Sequence, residues 1–283
     1  MSIEANTVLL DIILGQLKRQ LRGNKQYDKT LFFYPLSPGC VIGMQRMATS
    51  WERIWSKKTV GNFDKITLSD LILANGYDNG VGSYSEDTWR LMVSDLSERT
   101  ELLPGKKVLE IGCGSGAVLY ALNEIVKIDS YGIDYSESLI KVAKVAIPEG
   151  KFVVQEADKP CFSETSFDMI FSNGVFFYFP DQEYVKRVII NWTNQISTGG
   201  QFVLLDLPDK EYEKVYHQER KKAYKDPSKY EADYKDLRHL FFDKNIVAEF
   251  LETIGMTDVR VFPHAVPSYG NARFRFNIIC SKP

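Results

Sequence analysis

The chain has 283 residues, 44% of them hydrophobic and 25% charged, with a formal net charge of −2. That length and balance fit a soluble globular protein with a sizeable core, one large domain or two small ones. The slightly acidic balance argues against a dedicated nucleic-acid binder, and four cysteines at 40, 113, 161 and 280, with no C-x-x-C, argue against a metal-ligand cluster or a disulfide framework.

The first residues, MSIEANTVLLDIILGQLKRQL, read as a short amphipathic helix with Leu9, Ile12, Ile13 and Leu17 on one face. They lack the basic start and cleavage-like end of a secretory signal. The apolar run is too short and interrupted to span a bilayer, so a cytoplasmic protein without a membrane span is expected. An aromatic-rich irregular stretch follows to about residue 60. Residues 1–84 are assigned to an N-terminal helical extension or cap. Next comes SEDTWRLMVSDLSERTEL, where Ser85 caps a helix with Trp89, Leu91, Met92 and Leu96 as its apolar stripe, ended by Pro104-Gly105.

From residue 106 strands and helices alternate. Lys107–Ile111 reads as a strand, and Val118, Leu119, Leu122 and Val126 mark the next helix. Ser130–Asp134 is a second strand, and Ser136 caps a helix faced by Leu139, Val142, Ala143 and Ala146. Lys151–Gln155 and Phe167–Ser172 are two more strands. A helix over Tyr184, Val185, Val188, Ile189 and Trp192 stops at Thr198-Gly199-Gly200, and Gln201–Leu207 is the fifth strand. Such alternation implies a parallel sheet with helices on both faces. The tail breaks the rhythm. A helix bearing Val247, Phe250, Leu251 and Ile254 ends at Gly255, and two strands follow with no helix between them, so they should pair antiparallel. The last, ARFRFNIIC, puts Phe274, Phe276, Ile278 and Cys280 on one face and Arg273, Arg275 and Asn277 on the other.

The stretch VLEIGCGSG, Val108 to Gly116, joins the first strand to a helix by a glycine-rich turn. In a doubly wound sheet that turn lies at the carboxyl end of a central strand, where ligands bind. Asp134 ends the next strand 22 residues after Gly112 and can accept hydrogen bonds from both ribose hydroxyls. To this point the pattern fits a nicotinamide dinucleotide, since Gly112, Gly114 and Ala117 match G-x-G-x-x-[GA], and S-adenosylmethionine equally. Glu110 separates them. A pyrophosphate beside that carboxylate would be repelled, whereas a ligand with an ammonium and a sulfonium gains from it.

Glu110, Gly112, Gly114 and Gly116 form E-x-G-x-G-x-G, Asp134 is the second-strand acid, Glu156-Ala157-Asp158 follows the third strand, and FDMIFSN, Phe167 to Asn173, is the fourth. Four motifs in this order resemble the class I (Rossmann-like) S-adenosylmethionine-dependent methyltransferases over roughly residues 85–283. The resemblance implies an α/β, doubly wound, mostly parallel seven-stranded sheet with the last strand antiparallel. It also implies S-adenosyl-L-methionine as cofactor, with Tyr84, Glu110, Gly112, Cys113, Gly114, Gly116, Asp134, Tyr135, Ala157, Asp158 and Asn173 around it. Asp158 stands where the family's carboxylate meets the adenine amino group, and the glycine-containing segment before Ser85 folds over the methionine end, which makes Tyr84 a contact. Read alone, Asp134 also serves as a helix cap, and Asp168 is a turn or solvent residue.

The acceptor is less legible. Phe176-Phe177-Tyr178-Phe179 follows the fourth strand, where the methyl should point, and aromatic faces hold a sulfonium by about 0.5–2 kcal/mol. Core packing is the competing use of those rings; Tyr178 is the one expected to be exposed. Of the three histidines, His264 lies just after the sixth strand at the same rim and is the candidate base, ahead of His217 and His239. No metal site is expected. Residues 209–240 form an insertion placed as a lid over the substrate, or a solvated helix, with six Lys or Arg against two acidic residues from Lys214 to Lys229. Tyr269, Asn271 and Arg275 add polar groups near the last turn. The expectation is methyl transfer to an oxygen, or a nitrogen, of a small metabolite, an anionic one being favoured by the basic insertion, such as a sugar, nucleotide sugar or secondary metabolite. Two alternatives stay open: a non-catalytic cofactor-binding subunit that needs a partner, and an NAD-dependent oxidoreductase in which Glu110 is incidental. The oligomeric state is open.

Overall fold

The computed structural model describes residues 50–77, 82–162, 166–223, 226–235 and 237–283. The amphipathic helix read at Leu9–Leu17 lies outside them. By its contacts the chain divides into Met1–Arg46 and Met47–Pro283, and the described residues all belong to the second unit.

Its elements in order are α1 (Ser50–Trp55), α2 (Leu68–Ala74), α3 (Glu86–Arg99), β1 (Lys107–Ile111), α4 (Ala117–Ile125), β2 (Asp129–Asp134), α5 (Glu137–Ala146), β3 (Lys151–Val154), β4 (Phe167–Asn173), α6 (Gln182–Thr193), β5 (Ile196–Pro208), α7 (Glu213–Ala223), α8 (Tyr230–Tyr234), α9 (Lys244–Thr253), β6 (Thr257–Pro263) and β7 (Arg275–Ser281). The strands form one sheet in the order β3-β2-β1-β4-β5-β7-β6. β7 runs antiparallel to both β5 and β6, and the other neighbouring pairs are parallel. The reversed strand slots between β5 and β6, and both its faces are buried: Arg275 and Asn277, read as the polar face, are as buried as Ile279.

Strand alternation sends β1 into two layers. Val108 joins a core built from α2, α3, α4 and α5, while Leu109 and Ile111 join one built from α6 and α9. The helices are therefore on both faces, and the order of strands reverses direction between β1 and β4, the place where a doubly wound sheet opens a crevice. Residues 50–77, assigned from the sequence to the extension, share the first core through Val60, Leu68, Leu71, Ile72 and Ala74.

Three local readings are corrected. On α3 the stripe is Trp89, Met92, Val93 and Leu96, while Leu91 is 62% exposed. At 100° per residue Leu91 sits about 200° round from Trp89, and Val93 takes its place in the i, i+3, i+4, i+7 set. β5 begins at Ile196, because Gly199, at φ 76°, makes an irregular step within the strand rather than ending the helix; the pairing jumps from Phe167↔Ile196 to Met169↔Gln201. The chain at Ala272–Phe274 is a 3-10 turn, not strand, so β7 starts at Arg275.

α2 owes its start to a capping box. The Thr67 hydroxyl accepts from the Asp70 backbone, and the Asp70 carboxylate accepts from the Thr67 backbone at 2.9 Å. Thr67→Ala should cost about 1 kcal/mol of stability, read as a lower urea midpoint at unchanged slope.

Candidate functional site

The carboxyl ends of β1, β2, β4 and β5 and the amino end of antiparallel β7 converge beneath residues 50–77. β1 runs into the glycine turn, where Gly112, Gly114 and Gly116 hold φ values of 72°, 53° and 81°. These are left-handed conformations that a Cβ disfavours. Space forbids it too. A Cβ on Gly112 would lie 2.6 Å from Val175, and one on Gly114 would collide with the Asn75 side-chain oxygen. Both Gly112 N–H and Cys113 N–H donate to the Ile133 carbonyl, at 2.8 and 2.9 Å, which fastens the turn to β2. The Cys113 side chain is buried over Gly132, so what it offers the turn is its backbone.

Asp134 closes the other side. One carboxylate oxygen accepts from Gly114 N–H at 3.0 Å and the other from Ser136 N–H at 2.8 Å. Burial pushes its pKa up to about 6, against the pull of those two backbone donors. Thus Asp134 both caps the turn before α5 and shapes the glycine loop. Glu110 is 2% exposed, and its Oε2 has no hydrogen-bond partner. Burial, and then the charge of Asp134, push its carboxyl well above the usual range. A buried and a half-buried carboxylate beside one glycine turn fit a cationic, hydroxyl-bearing ligand and disfavour a pyrophosphate.

The third motif is anchored from behind. Ala157 accepts from Trp192 at 2.6 Å, and Asp158 receives the Tyr184 hydroxyl at 3.2 Å and the Arg187 guanidinium at 3.8 Å. The Tyr135 side chain is exposed at the rim. Asp168, read as a turn or solvent residue, is instead the second residue of β4, at the opposite end of the sheet, where it accepts from Lys106 Nζ and Lys107 N–H, both at 2.9 Å.

The other half of the site forms where β4 and β5 end and β7 begins. Asn173 is buried with its Oδ1 unpartnered, and Gly174, at φ 67°, donates to the Leu205 carbonyl at 3.1 Å. A Cβ on Gly174 would stand 2.5 Å from the Tyr77 hydroxyl and 3.5 Å from Asp206 Oδ2. Asp206 is itself left-handed, at φ 60°, in an irregular step of β5 between Leu204 and Leu207. Its N–H donates to Asn277 Oδ1 at 2.8 Å. Beside it lies Arg275, 6% exposed, with Nε 3.6 Å from Asp206 Oδ1 and its guanidinium carbon 4.5 Å from the Phe177 ring centre.

Tyr84 and His264 meet here, as two of the sequence candidates. The Tyr84 hydroxyl is 2.8 Å from His264 Nε2, and His264 Nδ1 accepts from Val266 N–H at 3.1 Å. Burial lowers the His264 pKa and keeps the ring neutral. A neutral imidazole that accepts at Nδ1 carries its proton on Nε2, so His264 donates to Tyr84. Tyr178 is half-buried rather than exposed, packed against Trp51, Trp55, Phe177 and His239 with ring centres 4.6, 5.5, 4.2 and 5.3 Å away. Its three phenylalanine neighbours behave differently: Phe176 and Phe177 are core, and Phe179 packs on Tyr184 at 5.0 Å.

The roof is held by polar contacts. The Asn75 side-chain oxygen accepts from Ser115 N–H at 2.8 Å, the Ser115 hydroxyl donates to the Leu71 carbonyl at 2.9 Å, and the Ser136 hydroxyl donates to the Trp55 carbonyl at 3.2 Å. Within 209–240, Tyr216 on α7 is buried with Phe241 and Phe274, and Arg220 donates to its hydroxyl at 2.8 Å. His217 is hydrogen bonded to Tyr230 at 2.8 Å, away from the rim. Asn75, Tyr77, Trp51, Trp55 and Asp206 were missed from the sequence. Only Asp206 carried a signal, an acid closing the apolar strand FVLLD. Among the described residues no group of three or more His, Cys, Asp or Glu is placed to hold a metal, and no helix is long and apolar enough to cross a membrane.

Residues 109–204 match a family model described as a methyltransferase domain. The chain is 28% identical over 119 residues to phosphoethanolamine N-methyltransferase 3 of Arabidopsis thaliana, covering 40% of this chain and 23% of that protein. It thus spans under a quarter of that relative's length. It is 25% identical over 205 residues to the malonyl-[acyl-carrier protein] O-methyltransferase of Bacillus anthracis, covering 68% of this chain and 75% of that one. The solved structure of magnesium protoporphyrin IX methyltransferase from Synechocystis with bound S-adenosylmethionine superposes with a TM-score of 0.51 at 15% identity, over 73% of this chain and 88% of that one. Family match, strand order and the glycine turn with its two carboxylates agree: the chain carries a class I S-adenosylmethionine-dependent methyltransferase domain, whose cofactor is S-adenosylmethionine.

Proposed function

We propose that the protein transfers the methyl group of S-adenosylmethionine to a small-molecule acceptor, an oxygen in preference to a nitrogen, in the space between the glycine turn and Asp206. The cofactor supplies an already activated methyl group on a sulfonium. What the chain contributes is binding, orientation and exclusion of water. The unpartnered Oε2 of buried Glu110 carries the reading, because a cationic donor is what that atom lacks. Glu110 accepts from the ammonium, Asp134 from the ribose hydroxyls, and the backbone of Gly112, Cys113, Gly114 and Gly116 lets the ligand approach closely. Ala157, Asp158 and Tyr135 flank the adenine side, and Asn173 and Tyr84 flank the methyl. Tyr178 and the two tryptophans of α1 form an apolar wall that keeps water from the reacting atoms. The basic stretch Lys214–Lys229 suits an acceptor whose far end is anionic. Three free thiols, Cys113, Cys161 and Cys280, support a reducing cytoplasm.

Asp134 gives the site a pH dependence. It serves the ribose as an ionised acceptor, so affinity for S-adenosylhomocysteine should fall as pH drops below about 6 and level off above 7. The sign for folding is opposite. The folded-state pKa lies above the ordinary 3.8, so the native state binds the proton more tightly and the ligand-free protein loses stability as pH rises from 3.8 through 6. Asp134→Asn should flatten the affinity profile, measured by calorimetry across that range.

Methyl transfer itself is tested with tritiated S-adenosylmethionine and the small-molecule fraction of a cell extract. Label should enter a small acceptor. Label appearing only in protein, or nowhere, would contradict the proposal.

A further inference from the structure

Two buried atoms at the end of β5 and the start of β7 lack hydrogen-bond partners and face each other. One is the acceptor Asp206 Oδ1 and the other the donor Arg275 Nε, 3.6 Å apart. Other groups of the two residues have partners: Asp206 N–H donates to Asn277 Oδ1, and a terminal Arg275 nitrogen to the Asp206 carbonyl at 3.3 Å. At 3.6 Å the pair attracts as ions without closing a hydrogen bond. The backbone maintains this gap. Asp206 is held left-handed within an irregular strand step, and the guanidinium is fixed over Phe177. Buried polar atoms left unpaired cost roughly 1–3 kcal/mol each, and a pair so placed where β4 and β5 end, next to Gly174, points to a ligand that satisfies both.

Resting on the methyltransferase reading above, we propose that Asp206 and Arg275 are catalytic residues that bind and activate a neutral hydroxyl as the methyl acceptor. The hydroxyl donates to Asp206 Oδ1 and accepts from Arg275 Nε–H. An oxygen has two lone pairs, so one can meet Arg275 while the other faces the methyl carbon. A neutral amine has a single lone pair, which the methyl must take, and an N–H would then point at the Arg275 N–H. The dyad therefore selects oxygen. It sits at the right end of the sheet, with Asp206 Oδ2 3.5 Å from the position a Cβ would occupy on Gly174, next to Asn173. As the oxygen–carbon bond forms, the carbon–sulfur bond breaks and its electron pair stays on sulfur. The hydroxyl proton passes to the Asp206 carboxylate, and Arg275 stabilises the negative charge growing on the oxygen.

His264 then has a different part. Its Nδ1 lone pair is engaged by Val266 N–H and its Nε2 proton by Tyr84, so the neutral ring has no lone pair left for a substrate proton. His264 is a positioning residue: by donating to the Tyr84 oxygen it leaves the Tyr84 proton free to point toward the reacting groups. Asp206, 4.0 Å from His264 Nε2, is the base.

The test follows methyl transfer from tritiated S-adenosylmethionine to phenol and to its amine isostere, aniline, with S-adenosylhomocysteine binding measured alongside by calorimetry. Phenol should be methylated at least tenfold faster than aniline. Asp206→Asn keeps a residue that tolerates the left-handed backbone and should bring the ratio to about one while S-adenosylhomocysteine affinity stays within twofold. Arg275→Lys, which keeps the charge but has no Nε, should also reduce the ratio. Aniline methylated as fast as phenol, or no transfer to phenol, would overturn the dyad. Loss of S-adenosylhomocysteine binding by the wild type would instead overturn the cofactor reading. Imidazole nitrogen shifts give a readout apart from binding: His264 should stay in the Nε2–H form from pH 6 to 8, and a proton on Nδ1 would return it to the role of base.

Discussion

Asp134→Ala lowers the affinity for S-adenosylhomocysteine by about two orders of magnitude or more. Two ribose hydroxyls donating to one carboxylate are charge-assisted hydrogen bonds worth roughly 1.5–3 kcal/mol each, so losing both costs at least about 3 kcal/mol. The same substitution frees Gly114 N–H and Ser136 N–H, which hold the glycine turn and the start of α5. Turn geometry and ligand contact therefore fail together. Calorimetry reads the affinity, and circular dichroism checks that the fold persists. Affinity within threefold of wild type would take Asp134 out of the site.

Arg275→Met is the largest expected effect on stability. The arginine is buried and its partner Asp206 is 3% exposed, so removing the guanidinium leaves an uncompensated carboxylate in the interior. Breaking a buried pair from one side costs about 3–5 kcal/mol, which for a domain of this size lowers the melting temperature by roughly 10 °C. Adding Asp206→Asn to Arg275→Met should recover a good part of that loss, since the stranded charge is then gone. A single variant as stable as wild type would mean that Asp206 is solvated in solution.

The scaffold was readable because its residues obey local rules. Positive φ at Gly112, Gly114 and Gly116 demands glycine whatever the ligand, and the alternation of strand and helix fixes a parallel sheet without knowledge of any contact. Two consecutive strands at the tail fixed the antiparallel pair, though not that β7 would lie between β5 and β6. The acceptor side was opaque for the opposite reason. Asp206 and Arg275 meet only because β7 returns beside β5, a separation of 69 residues that no period reveals. Arg275 looked like the outer face of an alternating strand, whereas both faces of β7 are buried. Asn75 reaches Ser115 across 40 residues, from a segment assigned to the N-terminal extension. His264 follows β6 and meets Tyr84, but its tautomer depends on Val266 N–H, a backbone detail that no pattern of residues carries. Leu91 misled for a simpler reason: it was chosen by hydrophobicity before its angle on the helix was counted.

The central claim is that the turn from Glu110 to Gly116, with Asp134, binds S-adenosylmethionine. Calorimetric titration of the wild-type protein with S-adenosylhomocysteine and, separately, with NAD tests it most directly. The account predicts saturable one-to-one binding of S-adenosylhomocysteine and none of NAD. Tight NAD binding with no response to S-adenosylhomocysteine would contradict it.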